Sequence, residues 1–336
     1  MPDPTRASAA RRPGSLVIGV EAGSAMVEVL VATVDGMPMG AGRSGSANPT
    51  ALPVAQVAGQ LATAVAQALA DVDPDEVGRV VVGAAGVLWF SRGTSATALA
   101  QVWAAAGLSC PVRVVPDAVT AFAAGTCARS GSVLIAGAGA IAAHVDREAV
   151  TARIDGNGWL VGDDGSGFWI GRQAVRAVFA DLDRRGEPTL LRDAVLAALT
   201  GDEDVPADPA EQAETLRAAV YDGPPIALAA LAPLVPAAAE AGDRVAQRIV
   251  DRAVTLLVDT AAALVGEDPA GPLVLAGSLL GRGGPIGREV ARRLAGHDGG
   301  PPLRAGSGAG GAAWLAARSL APHLGPDAHA RLTGGA

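Results

Sequence analysis

The chain has 336 residues, of which 50% are hydrophobic and 18% charged, with a net charge of −8. That length points to two domains, and that hydrophobic content supports buried cores rather than global disorder. Every cation is an arginine, and the acidic balance leaves no basic footprint for nucleic acid or an anionic membrane surface.

Segment 1–14 is polar, with arginines and prolines but no apolar run, so it reads as a disordered tail rather than a signal peptide or anchor. Residues 16–34, "LVIGVEAGSAMVEVLVATV", read as an apolar strand, a small-residue turn from Ala22 to Ala25, and a second strand in which Val27, Val29 and Val31 alternate. Asp35 and Gly36 supply the next turn. A helix over 54–70, a strand "RVVVGAAGV", a helix over 97–106 and a short strand "VRVV" running into Pro116 and Asp117 follow. Strands alternating with helices predict an α/β sheet. Behind Asp117, "AVTAFAAGTCA" reads as a helix with the aspartate as its N-cap.

Residues 133–155, "VLIAGAGAIAAHVDREAVTARID", repeat the opening plan about 115 positions later, as an ancient duplication would. Helices are expected over 172–182, 190–200, 217–220, 225–241 and 243–265, with the acidic "GDEDVPADPAE" at 201–211 as a solvated loop. "PLVLAGSLL" reads as a buried strand ending in a turn at Gly277. "GAGGAAWLAARSL" reads as a closing helix that returns to the first domain. The longest apolar stretch, "IALAALAPLVPAAAEA", is interrupted by Pro233 and Pro236 and falls short of the roughly 20 residues a membrane-spanning helix needs. Cys110 and Cys127 are isolated, which fits a reduced, cytoplasmic compartment. His144, His297, His323 and His329 show no paired spacing for a metal.

Three glycine turns follow three apolar strands, at Glu21 to Ala25, Gly137 to Ala140 and Ala276 to Ser278. Glycine at such a tip lets main-chain amides converge on a phosphate with no side chain in the way. Asp117, between a strand and a helix, suits two roles that share one geometry. It caps orphan amides, and a carboxylate kept ionised by the helix dipole accepts a proton from a substrate hydroxyl. In "GWLVGDDGSGFWIG" (158–171), adjacent Asp163 and Asp164 lack a basic partner within the loop. Carboxylates there suit vicinal sugar hydroxyls, with Trp159 or Trp169 against the apolar sugar face. The alternative is a surface turn whose tryptophans pack into the core.

The same stretch is similar to the Gly-Asp-Glu-Gly-Ser segment of the BadF/BadG/BcrA/BcrD-type ATPases, specifically their N-acetylglucosamine-kinase-like sugar kinases. "GVEAGS", "SGSANP", "VPDAVTAF", "IAGAGA" and "VLAGSLL" resemble the family's other segments in order, from about residue 16 to residue 320. The resemblance implies two actin-like (ribonuclease H-like) α/β domains with a cleft between them. It places the first at 15–117, closed by a C-terminal helix at 308–321, and the second at 118–307. It also implies ATP-dependent phosphorylation of an amino sugar, N-acetylglucosamine giving the 6-phosphate, with Mg²⁺, and a homodimer as an allowed assembly. By the resemblance Asp117 is the catalytic base and Glu21 the metal ligand. Asn48, Gly139, Asn157, Trp159, Asp163 and Asp164 bind the sugar, and Gly23, Ser24, Gly137, Ala138, Gly277 and Ser278 bind the nucleotide.

The chain departs from the family's pattern at three places. Glu21-Ala22-Gly23-Ser24-Ala25 stands where the family has Asp-Gly-Gly-Gly-Thr, Gly137-Ala138-Gly139-Ala140 replaces Gly-Thr-Gly-Ser, and Pro116 replaces an asparagine. Each lost donor to a charged group costs about 1.5–3 kcal/mol unless main-chain amides carry the contact. Two other functions fit the residues. One is a non-catalytic sugar sensor with eroded phosphate turns. The other is an oxidoreductase, because "VLIAGAGAIA" matches the dinucleotide pattern Gly-x-Gly-x-x-Ala with Asp155 downstream for a ribose.

Overall fold

A computed structural model describes residues 14–47, 52–201, 206–265, 271–281, 284–296 and 300–334. Asn48, His297, part of the 201–211 loop and all but the last residue of the expected 1–14 tail lie outside the described residues. The chain divides into two compact units. Residues 1–127 with 306–336 form the first, and 128–305 the second.

The first unit opens with β1 (Leu16–Ala22), β2 (Val27–Thr33) and β3 (Pro38–Ser44), then α1 (Val54–Ala68), β4 (Val77–Ala84), α2 (Val87–Ser91), α3 (Gly93–Ala105), β5 (Val112–Pro116) and α4 (Asp117–Gly125). The second holds β6 (Ser130–Ala136), β7 (Ala140–Asp146), β8 (Ala149–Asp155), α5 (Gly167–Leu182), α6 (Leu191–Thr200), α7 (Pro209–Asp222), α8 (Leu234–Glu240), α9 (Arg244–Val265), β9 (Leu273–Ala276), α10 (Pro285–Arg293) and β10 (Leu303–Arg304). Helices α11 (Gly308–Leu320) and α12 (Pro326–Thr333) then complete the first unit.

In the first sheet the order is β3-β2-β1-β4-β5, with β1–β3 antiparallel neighbours and β1, β4 and β5 parallel. The second sheet reads β8-β7-β6-β9-β10 with the same directions. Strand for strand the two match, which is the repeat of the sequence expressed as topology. β1 and β6 sit at the centre of their sheets, so both faces are covered and their apolar runs are nearly continuous.

Helix α11 lies directly on the main chain of β1, because a Cβ at Gly19 would overlap the Ala309 carbonyl and the Ala313 amide. Its own Gly311 lets α4 approach equally closely, against the Thr120 carbonyl. In the second unit α5 and α9 cover the sheet through buried Ile170, Val178, Val254 and Leu257. Among the described residues no single helix is long and apolar enough to cross a membrane.

Several boundaries differ from the sequence expectation. The 225–241 helix is a 3₁₀ segment, Pro225–Leu231, followed by α8, the break falling at Pro233, which has no amide to continue the ladder. Part of the expected acidic loop is the start of α7, capped by the Asp208 carboxylate on the amides of Ala210 (2.9 Å) and Glu211 (3.1 Å) with Pro209 at the first helical position. Asp117 is the first residue of α4 rather than its cap, a position held by Pro116. Its Oδ1 accepts from the Ala118 amide at 2.9 Å.

Candidate active site

In the first unit, Glu21 and Asp117 stand at the carboxyl ends of parallel strands, where open α/β sheets bind ligands. Glu21 faces the start of α11, and Gly308 has no Cβ because one there would overlap the glutamate carboxylate. Burial pushes the Glu21 carboxyl up to about 7, the carboxylates of Glu28 and Asp117 push in the same direction, and the Gly308 amide partly opposes them. Asp117 is also raised, by burial first, with the Ala118 amide opposing. The helix dipole therefore does not dominate at this aspartate, contrary to the sequence reading, because desolvation of the charged form outweighs it.

Glu28 is a member of this cluster that the sequence reading missed. It sits directly across from Glu21 in the β1–β2 register and pairs with Arg43 of β3 at 2.8 Å. The short hairpin was the available signal, since a turn over 23–26 sets residue 21 across from residue 28.

Two of the glycine turns share a construction. The Gly23 amide closes its own turn onto the Met26 carbonyl (3.0 Å), and the Gly137 amide closes onto that of Gly139 (2.9 Å). The amides left for a ligand are those that follow, at Ser24 and Ala25 in one unit and at Ala138 and Gly139 in the other. The carbonyls of Gly137 and Ala138 accept from the first amides of α5, Gly167 (2.8 Å) and Phe168 (3.2 Å), which turns the peptide planes and leaves the N–H edges free. Gly277 takes a left-handed conformation (φ 88°) packed on the Ala136 carbonyl. That carbonyl also accepts from the Leu279 amide at 3.0 Å, so Gly277 and exposed Ser278 stand beside Gly137.

The 158–171 motif is more constrained than the sequence suggested. Asp163 is buried, its carboxylate lies over Gly139, and the amides of Ala140 and Gly158 favour its charge. Burial and the neighbours Asp155 and Asp164 outweigh them and raise it overall. Asp164 is exposed, as is Asn157. The Trp159 ring packs on Phe168 at 5.2 Å, and both Trp159 and Trp169 lie against the core. Ser166 caps α5 through the Trp169 amide at 3.2 Å.

Asp155, considered above only as a ribose partner, instead accepts from the amides of Asp163 (2.8 Å) and Asp164 (2.9 Å). After Gly139 the chain enters strand β7, not the helix a dinucleotide site requires, and the oxidoreductase reading falls. Asn48 lies outside the described residues.

Curated relatives include the N-acetylmuramic acid/N-acetylglucosamine kinase of Clostridium acetobutylicum, 28% identical over 182 residues, covering 54% of this chain and 58% of the relative. The N-acetyl-D-glucosamine kinase of Dictyostelium discoideum is 30% identical over 189 residues, covering 53% and 56%. The chain thus matches little more than half the length of these relatives. A solved structure from Chromobacterium violaceum, provisionally named an N-acetylglucosamine kinase, superposes with a TM-score of 0.66 at 22% identity, over 90% of this chain and 98% of that one. That likeness shows the fold, a pair of α/β units of the actin-like ATPase type. Residues 18–316 match the BadF/BadG/BcrA/BcrD ATPase family, and the chain belongs to it.

Proposed function

We propose that this protein is an ATP-dependent kinase that phosphorylates a hydroxyl of an amino sugar, N-acetylglucosamine in the first instance with the 6-phosphate as product. The observation that carries the reading is Asp117, a desolvated carboxylate at the first turn of α4 with Glu21 beside it at the ends of the parallel strands. Desolvation strengthens the aspartate's hold on a proton, which is what a base taking one from a sugar hydroxyl needs. The hydroxyl oxygen then bonds to the γ-phosphorus, the bond to the β-phosphate oxygen breaks, ADP leaves, and the proton resides on Asp117. The transition state is loose, so positioning and charge neutralisation do most of the work.

Glu21 fits a magnesium ion. It is a hard oxygen donor whose charge is disfavoured by burial and then by two neighbouring carboxylates, and a cation there relieves that cost. When bound, Mg²⁺ supplies charge neutralisation to the phosphates. We assign the amides of Ser24 and Ala138, with Gly23, Gly137, Gly277 and Ser278 shaping their turns, to the nucleotide, and Asn48, Gly139, Asn157, Trp159, Asp163 and Asp164 to the sugar. Sugar and ATP are the partners, and the compartment is the cytoplasm.

A coupled assay of ADP release across N-acetylglucosamine, N-acetylmannosamine, glucosamine and glucose tests the reading. Asp117→Asn is expected to lower kcat by about 100-fold or more while the sugar still binds. Unchanged turnover in that variant would remove the assigned base. One observation favours a second reading, a sugar sensor without catalysis. The turn from Gly137 to Ala140 carries no hydroxyl. Sugar binding with no ADP from any acceptor would select it.

A further inference from the structure

Asp155 ends β8 in a left-handed backbone conformation (φ 61°), and Asp163 adopts one too (φ 57°). Such conformations are strained for a non-glycine residue and persist where surrounding bonds impose them. The bonds that impose these come from Asp155 itself. Its two carboxylate oxygens take the consecutive amides of Asp163 and Asp164, at 2.8 and 2.9 Å. With its amide so fixed, Asp163 directs its carboxylate over Gly139, where a Cβ would lie only 2.8 Å from Oδ2, toward the amide of Ala140. Missing side chains clear both steps, at Gly139 beneath Asp163 and at Gly162 against Asp155. The Gly156 amide, next to Asp155, returns to the Ala140 carbonyl at 3.1 Å.

We propose that Asp155 is a positioning residue for the phosphate turn at 137–140. It touches no substrate. It holds the 163–164 peptide so that the Asp163 carboxylate stays seated over Gly139 inside the turn, and the same grip orients the exposed Asp164 carboxylate. A turn with its own hydroxyls can be braced by them. This turn, Gly-Ala-Gly-Ala, has none, and a relay of two carboxylates does it instead. The functional side of the proposal rests on the kinase reading, in which that turn meets the nucleotide.

The test uses full-length Asp155→Ala, Asp155→Asn, Asp163→Ala and the Asp155→Ala/Asp163→Ala double variant. Folded Asp155→Ala is expected to raise KM for MgATP about tenfold, because two amides lose a charged acceptor. Asp155→Asn, with one acceptor oxygen, is expected to recover part of that. Adding Asp155→Ala to Asp163→Ala is expected to change KM for MgATP no further, since the two act in series. Amide hydrogen exchange should quicken at 138–141 as well as at 163–164. Unchanged KM in folded Asp155→Ala, additive effects in the double variant, or faster exchange confined to 163–164 overturns the proposal. Should Asp155→Ala not fold, Asp155→Asn carries the same comparison with a smaller KM rise. Should the unmodified chain release no ADP with any sugar, the kinase reading fails, and the exchange measurement still decides whether Asp155 braces the turn.

Discussion

Glu21 shows how burial and neighbouring carboxylates set the charge of one residue. Its carboxyl is raised from 4.5 to about 7, by burial first and then by Glu28 and Asp117. The folded state therefore binds a proton more tightly than the unfolded chain, and the stability this group contributes is present below about 4.5 and lost as pH rises through about 7. Without divalent metal, Tm is expected to fall across that interval, and Glu21→Gln to flatten the fall. At pH 7.5 added Mg²⁺ should raise Tm in the unmodified protein and much less in Glu21→Gln, by ligand linkage. Thermal scans from pH 4.5 to 8 with and without magnesium check both. The place of Glu21 at a strand end beside a glycine turn was legible in the sequence. The burial that shifts it was not, because it depends on α11 arriving from 287 residues further along the chain at Gly308.

Elements carry the next level. Helix α5 begins at Gly167, earlier than the apolar periodicity indicated, because "GSG" reads as a turn while Ser166 serves as its cap. The first amides of α5 also hold the carbonyls of Gly137 and Ala138, so this cap supports the 137–140 turn as well as the helix. Ser166→Ala is expected to lower stability by about 1 kcal/mol, the usual value of such a cap, as read by urea unfolding. α10 and α12 went unread for a related reason. Both start at a Gly-Pro pair, which signals a loop in sequence yet places proline at the first helical position, where its missing amide does no harm. By contrast β2 and α9 were plain, because alternation in one and a long apolar stripe in the other survive without knowing any partner.

At the scale of the whole molecule, the first unit is discontinuous in sequence. α11 packs on β1, β4 and α4 and buries Trp314, although the entire second unit separates it from them along the chain. α12 adds to the closure. His329 bonds the Ala123 carbonyl at 2.7 Å, and the Ser307 amide donates to the Thr333 carbonyl at 3.0 Å. A chain ending at Ala305 is expected to lose the cooperative unfolding of the first unit, since β1 would expose the face that Gly19 offers to α11. Protease resistance of the 14–127 segment in that truncation, compared with the full chain, measures it. Resistance equal to the full chain would show that the first unit stands without its closing helices.

The sequence by itself determined the strand–turn–strand repeat, the α/β class, the return of the last glycine-led helix, and which acids stand at strand ends. These follow from local periodicity and from glycine placement, and both are properties of short segments. Only the tertiary structure decided that Glu28 joins Glu21 and Asp117, that Ser24, Ala138 and their neighbours rather than Gly23 and Gly137 offer free amides, and that Asp155 grips the 163–164 peptide. Those depend on which groups are desolvated and which hydrogen bonds are already made. Both quantities are set when distant segments pack together.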